Sequence, residues 1–245
     1  VQRGGAKKLV KDTTFFMEDW YLMALIVFEG VDGSGKSTQF RLLSERMTRQ
    51  GLAFTNIVFP QYDKPSSALL KMYLDGAFGP EPEDVGPHAA STFYAVDRYA
   101  SYKTVWGDAY RRGEIVLADR YTTSNAVHQG SKLQGEQRQE FFRWLDAFEH
   151  GYMELPRPDI VLYMDVPIEV ALENLCARQI ATNTKADIHE TGVAYLRQCA
   201  DAAEQAAACY GWHRVQCMEG ENMRPEAEIH EEIFGILTDM TDLFD

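Results

Sequence analysis

The segment LIVFEGVDGSGKSTQFRLL, residues 25 to 43, places Gly30, Gly33, Gly35 and Lys36 between an apolar run and an amphipathic one. Glycines free backbone amides to wrap a polyphosphate, and a lysine can reach its outer oxygens. Gly30 to Ser37, GVDGSGKS, satisfies G-x-x-x-x-G-K-[ST]. At an average glycine usage of about 7%, this pattern arises by chance in roughly one chain of this length in a hundred. Lys36 is expected to bridge the β and γ phosphates and Ser37 to ligate Mg²⁺, while amides from Gly33 to Thr38 meet the negative charge at a helix N-terminus. The nucleotide-binding set is therefore Gly30, Val31, Asp32, Gly33, Ser34, Gly35, Lys36, Ser37 and Thr38. Asp32 is the odd member, since a carboxylate there repels phosphate unless it faces a cation or a sugar hydroxyl.

Other chemistry-bearing residues are scattered along the chain. Tyr94 and Arg98 are four apart, so one helix face can bring an aromatic plane and a guanidinium to the same pocket. In DRYTTSN, Asp119 and Arg120 fall at a strand end and come beside the phosphate loop if the two strands are neighbours. The amide of Asn125, a little further on, can both donate and accept. The segment CARQIATNTKADIHE carries Arg178 and Lys185 around a polar loop, a lid of about residues 179 to 190 that could close over a bound nucleotide.

The elements that position these residues are legible as alternating patterns. ALIVFEG, FTNIVFP, EIVLADR and DIVLYMD are short apolar bursts rich in β-branched residues, and WHRVQCM is a weaker fifth. Continuous rather than alternating, they predict parallel strands covered on both faces. Helical patterns lie between them at residues 36 to 50, 88 to 112, 135 to 149, 167 to 179, 191 to 210 and near 225 to 240. Strands alternating with helices imply right-handed crossovers and an α/β fold with a doubly wound, five-stranded parallel sheet. Ligands collect at the carboxyl ends of strands in such sheets, and the candidate residues all fall there.

The bulk numbers narrow the function class. A chain of 245 residues that is 45% hydrophobic can bury the core of one large domain, and no linker or repeat divides it. A net charge of −13 argues against a nucleic-acid polymer, whose binding draws on clustered Lys and Arg, but leaves room for small phosphorylated ligands. Cys176, Cys199, Cys209 and Cys217 show neither CxxC spacing nor a zinc pattern, and read as buried free thiols of a reducing cytoplasm. No apolar run approaches the roughly 20 residues of a membrane span. Residues 1 to 22 lack an element period, and a leader outside the fold, with translation starting at Met17 or Met23, is the expectation.

EGVDGSGKST, FPQY, YAVDR, ADRYTTSN and LPRPD occur in the order and spacing of thymidylate kinases. The resemblance runs from about Ala24 to the C-terminal helix, and five motifs in register are a strong signal. It implies a P-loop NTPase fold, transfer of the γ-phosphoryl of MgATP to dTMP, and a homodimer packed through helices. By the same resemblance, Asp32 contacts the acceptor's 3′-hydroxyl or the metal, Tyr94 stacks on thymine, and Arg98 hydrogen-bonds its edge. Arg120 acts on the transferring phosphates, Asp119 lies near the metal, and Ser124 and Asn125 face the base. His128 falls where several members have a tyrosine near the sugar. Tyr62 stands where many have an arginine, and its hydroxyl can donate to the 5′-phosphate with Phe59 packed beside it. Gly33 replaces an arginine that one subgroup carries in the phosphate loop. The resemblance therefore puts the catalytic set at Lys36, Arg120, Arg178 and Asp119, with the lid supplying the missing cation. A deoxynucleoside kinase, or a regulator that hydrolyses ATP slowly, are the rival readings.

Overall fold

The computed structural model describes residues 25–182 and 193–240. The leader, Lys185 and most of the lid segment lie outside the described residues. Five strands, β1 (Leu25–Glu29), β2 (Phe54–Val58), β3 (Ile115–Asp119), β4 (Ile160–Asp165) and β5 (His213–Gln216), form one sheet in the order β2-β3-β1-β4-β5. Every pairing in it is parallel. The helices are α1 (Lys36–Gln50), α2 (Ala68–Leu74), α3 (Pro87–Ser101), α4 (Gly107–Arg111), α5 (Thr123–His128), α6 (Gly135–Asp146), α7 (Ile168–Thr182), α8 (Val193–Tyr210) and α9 (Glu226–Met240). A two-stranded hairpin, Met218–Glu219 with Asn222–Met223, precedes α9.

The pleat explains why the central strands read as unbroken apolar runs. Leu25 and Val27 point into a core with Val116, Ala118, Val161 and the α5, α6 and α8 side, whereas Ile26 and Phe28 point the other way onto α1 and α9. β2 and β5 differ from the expectation of burial on both faces: they are edge strands, and Val58 is half exposed.

The pattern read as one helix over 88 to 112 is helical throughout but not uniform. A wide turn, Tyr102–Trp106, separates α3 from α4, with the Gly107 amide bonded five residues back to the Tyr102 carbonyl. A second wide turn, Ala147–Tyr152, prolongs α6 and carries Glu149. Each inserts a residue relative to the α repeat and re-aims the side chains on it. α7 also runs past the expected end at residue 179, so Arg178 stands inside the helix rather than at its terminus.

The cysteines divide, correcting the expectation that all four are buried: Cys199 and Cys217 are, but Cys176 and Cys209 are exposed, and none is bridged. Burial pushes the Cys199 and Cys217 thiols up to about 12. Titration of native protein with a thiol-specific dye at pH 8 is expected to count two fast-reacting groups, and to reach the full four only in denaturant.

Candidate active site

β1 lies between β3 and β4, with Phe28 opposite Asp119 and Glu29 opposite Tyr163. The loop leaving β1 and the turn leaving β3 must therefore meet at one sheet edge. A cleft of about 640 Å³ opens there, lined by the phosphate loop on one side and by Tyr94, Arg98 and Asn125 on the other. The P-loop residues Asp32 to Thr38 line it, as do Phe59, Tyr62, Asp119, Arg120, Ser124, His128 and Arg178. The fold thus brings the candidate site residues it describes to a single cavity, save Gly30 and Val31, which form the base of the loop behind it.

Gly35 caps α1 in the left-handed conformation, leaving the first-turn amides unbonded and available to an anion. Lys36 is buried beneath the loop, where its Nζ donates to the Val31 carbonyl at 2.9 Å and lies 3.8 Å from Asp32. Gly33 has φ +89°, and a Cβ there would stand 2.0 Å from the Ala171 carbonyl oxygen of α7. Asn174, one turn further along α7, donates to the Gly33 carbonyl at 3.0 Å. This chain therefore has no room for the arginine that some relatives carry at this position. Gly33→Ala is expected to lower Tm by about 5 °C or more, because it combines a strained φ with a backbone clash; calorimetry on the purified variant checks this.

Asp32 faces cations, not solvent. Arg120 Nη2 donates to its Oδ1 at 2.5 Å. Burial alone would raise the Asp32 pKa, but Arg120, then Lys36 and, less strongly, Arg178 hold it well below the usual carboxylate range. Burial and then the Arg120 charge lower the pKa of Lys36, against the opposing pull of Asp32, Asp119 and Glu29. Burial acts to lower the Arg120 pKa, but Asp32, Glu29 and Asp119 outweigh it and keep the guanidinium charged. Its backbone is left-handed, φ 68°, with its amide donating to the Phe28 carbonyl at 3.1 Å, so the turn after β3 folds back across the end of β1.

Ser37 Oγ donates to Asp119 Oδ2 at 2.8 Å. A hydroxyl and a carboxylate beside a polyphosphate cradle are hard oxygen donors of the kind Mg²⁺ accepts, with phosphate and water completing its shell. Among the described residues no cluster of three or more His, Cys, Asp or Glu could cage a metal by itself. The donor set therefore fits a cation that arrives with a nucleotide.

His128 stands at the cleft wall. Its Nε2 is 3.1 Å from Arg120 Nη1, and since a guanidinium only donates, Nε2 accepts. The proton then sits on Nδ1, which faces Cys199 Sγ at 3.7 Å, while Tyr195 OH donates to the His128 carbonyl at 3.1 Å. This histidine is tied to Arg120 and α8 rather than free to act as a base.

Four acidic or amide residues of the site are absent from the sequence reading. Glu29, fully buried, accepts from Thr123, Ser124 and the Gly30 amide at 2.7, 2.6 and 2.9 Å. Asp97 accepts from the Gln61 amide and Ser66 Oγ at 2.8 and 2.6 Å, tying the FPQY loop to α3. Glu149 binds Arg98, and Asn174 the phosphate loop. Glu29 and Asp97 sit inside the quoted motifs EGVDGSGKST and YAVDR; nothing local marks Glu149 or Asn174.

A central parallel sheet with this loop and an adjoining Asp-Arg turn beside one cleft is the architecture of a P-loop nucleotide kinase. The pattern of the family described as thymidylate kinase matches residues 28–217, and the chain belongs to that family. It is 29% identical over 202 residues to the thymidylate kinase of Mycobacterium tuberculosis (strain CDC 1551 / Oshkosh), covering 82% of this chain and 93% of that one. The thymidylate kinase of Nitrobacter winogradskyi is 30% identical over 75% of each chain. That of Synechococcus sp. (strain CC9311) is 27% identical over 78% of this chain and 86% of its own.

Proposed function

We propose that this enzyme transfers the γ-phosphoryl group of ATP to the 5′-phosphate of dTMP, giving dTDP and ADP, with the residues of the cleft in the following roles. The phosphate loop from Gly30 to Thr38 binds the ATP phosphates and Lys36 reaches the outer two. Tyr94 stacks on the acceptor's base, Arg98, Ser124 and Asn125 meet its edge, and Tyr62, backed by Phe59, reaches its phosphate. Arg120 lies between the two halves and neutralises the transferring group, while Asp32 and Asp119 orient cations and acceptor rather than attack. Ser37 and Asp119 would hold Mg²⁺, which supplies charge neutralisation at the phosphates when bound. Arg178 projects from α7 into the same cleft, as a cation that reaches the phosphoryl on closure must.

The observation that carries this reading is the single cavity holding a phosphate grip and a buried arginine–asparagine pair, bridged by Arg120. Alignment and positive charge around the equatorial oxygens are what phosphoryl transfer requires, and no covalent nucleophile is needed. The exposed apolar side chains Val96, Tyr99 and Val105, on the outside of α3 and its following turn, support association of two copies through helices. Among the described residues no helix is long and apolar enough to cross a membrane, and the unbridged cysteines support a cytoplasmic setting.

A coupled ADP-release assay over a panel of nucleoside monophosphates, with thymidine alongside, tests the reading. Turnover is expected with dTMP and not with thymidine. Preference for thymidine would make the enzyme a nucleoside kinase, and hydrolysis indifferent to any acceptor would make it a regulator. Sedimentation at micromolar concentration checks the homodimer.

A further inference from the structure

The acceptor half of the cleft contains a buried acid whose role follows from which hydrogen bonds it uses up. Glu149 is fully buried and Arg98 nearly so, on the wide turn after α6 and on α3 respectively. Arg98 Nε donates to Glu149 Oε2 at 2.8 Å and its Nη2 donates to Oε1. Asn125 Nδ2 donates to the same Oε1 at 2.8 Å and to the Ser91 carbonyl at 3.3 Å. Both neighbours of that amide end are pure acceptors, a carboxylate and a carbonyl, so the orientation of the Asn125 amide is dictated by chemistry. Its two N–H donors are consumed, and what remains to meet a ligand is the carbonyl oxygen.

Arg98 is fixed in the complementary sense. With Nε and Nη2 committed to Glu149, its Nη1 amino group is left for the cleft that Arg98 lines, and a guanidinium offers donors only. The wall therefore presents a donor from Arg98 beside an acceptor from Asn125. A 4-oxopyrimidine matches this order with its O4 acceptor and N3–H donor, whereas cytosine reverses it, with an N4 amino donor and a bare N3 acceptor.

We infer that Glu149 is a specificity-determining positioning residue: by taking one donor of Asn125, with the Ser91 carbonyl taking the other, and one edge of Arg98, it sets the polarity of the base-reading wall and so excludes cytosine nucleotides. The inference rests on the acceptor site proposed above. Glu149 acts through Asn125 and Arg98 and needs no contact with substrate. An amide at this position would weaken the compulsion, because a glutamine can turn either an oxygen or an amino group toward Asn125 and leaves the Ser91 carbonyl as the one fixed acceptor opposing a flip of that side chain. The wide turn of Ala147–Tyr152 is what brings Glu149 into register with both partners, which gives this departure from α geometry a function.

The experiment compares kcat/KM for dTMP and dCMP in the parent, Glu149→Gln and Glu149→Asp. A site built to pair a donor rejects the analogue lacking it by roughly 10⁴, so the parent is expected to favour dTMP by about that factor. Glu149→Gln should cut the ratio by about tenfold, because the Asn125 contact at N3 can reverse whereas the Arg98 donor at O4 cannot, with KM for ATP unchanged. Glu149→Asp, which still accepts only, should weaken dTMP binding yet keep most of the discrimination. An unaltered ratio in an active, folded Glu149→Gln would overturn the inference. A parent that does not use dTMP would instead overturn the acceptor reading itself.

If Glu149→Gln fails to fold, NMR of the parent with ¹⁵N-labelled asparagine decides. The Asn125 side-chain amide protons should be hydrogen-bonded before dTMP is added and barely move on binding, while the N3 imino proton of bound dTMP becomes protected from exchange. Asn125 amide protons that shift to the ligand would refute the assignment.

Discussion

Lys36→Ala is expected to lower kcat by about 10² to 10³ while moving Tm by no more than a few degrees. Removal of one preorganised donor aimed at developing charge has roughly that effect in water-excluded sites. The near-neutral stability has a separate cause. Before nucleotide arrives, the ammonium of Lys36 is buried next to the Arg120 charge and its pKa is lowered, so the folded protein holds a cation in a place that disfavours it. Its hydrogen bond to the Val31 carbonyl and its proximity to Asp32 and Asp119 offset part of that cost. Deleting the side chain removes both the penalty and the compensation, and the phosphate loop keeps its shape through Gly33, Gly35 and the Asn174 bond. Coupled ADP release at saturating dTMP, with a thermal melt of the same sample, measures the two quantities. Turnover within tenfold of the parent would mean that Lys36 is not on the transferring phosphoryl.

Much of the site was legible because its determinants are local. The G-x-x-x-x-G-K-S spacing, the β-branched bursts before Glu29, Asp119 and Asp165, and the helix starting at Lys36 each depend on neighbours within a few residues. All five strands of the sheet came from such runs, and adjacency of β1 and β3 then placed Arg120 against Asp32. Where the sequence reading falls short, the determinant is an interaction across the fold. Glu149 lies far from Arg98 along the chain, and its aim depends on a wide turn that no composition marks. Cys176 and Cys209 look no different from Cys199 until α7 and α8 are packed. The helical pattern over 167 to 179 puts Arg178 at a helix end, yet α7 continues through Thr182. Short helices escape for another reason: α2 and α5 span 7 and 6 residues, too few to show a period, and α5 is held by Glu29 bonding Thr123 and Ser124 instead.

Arg120→Lys is expected to lower kcat by roughly 10³ or more, within the 10³ to 10⁵ that an arginine on a transferring phosphoryl can supply. A charge-conserving change would be mild if charge alone mattered. The geometry says otherwise, because the guanidinium divides its two ends: Nη2 holds Asp32 at 2.5 Å, while Nη1 meets His128 at 3.1 Å and Ser124 at 3.5 Å. Glu29 stands behind at 3.8 Å. A planar fork can keep these contacts and still direct an N–H at the cleft, whereas a compact ammonium must choose one of them. The loss should therefore appear in kcat, with KM for ATP and for dTMP changing less than about tenfold, as for an interaction made mainly in the transition state. Arg120→Gly separates this from folding. Glycine relieves the left-handed backbone at φ 68° but leaves Asp32 and Glu29 without their shared cation, so it should be inactive and less stable than the parent, with circular dichroism of the same sample showing whether the loss of turnover occurs in folded protein. Full turnover in Arg120→Lys would reduce this residue to a simple counter-charge for Asp32 and leave Lys36 and Arg178 as the cations on the phosphoryl group.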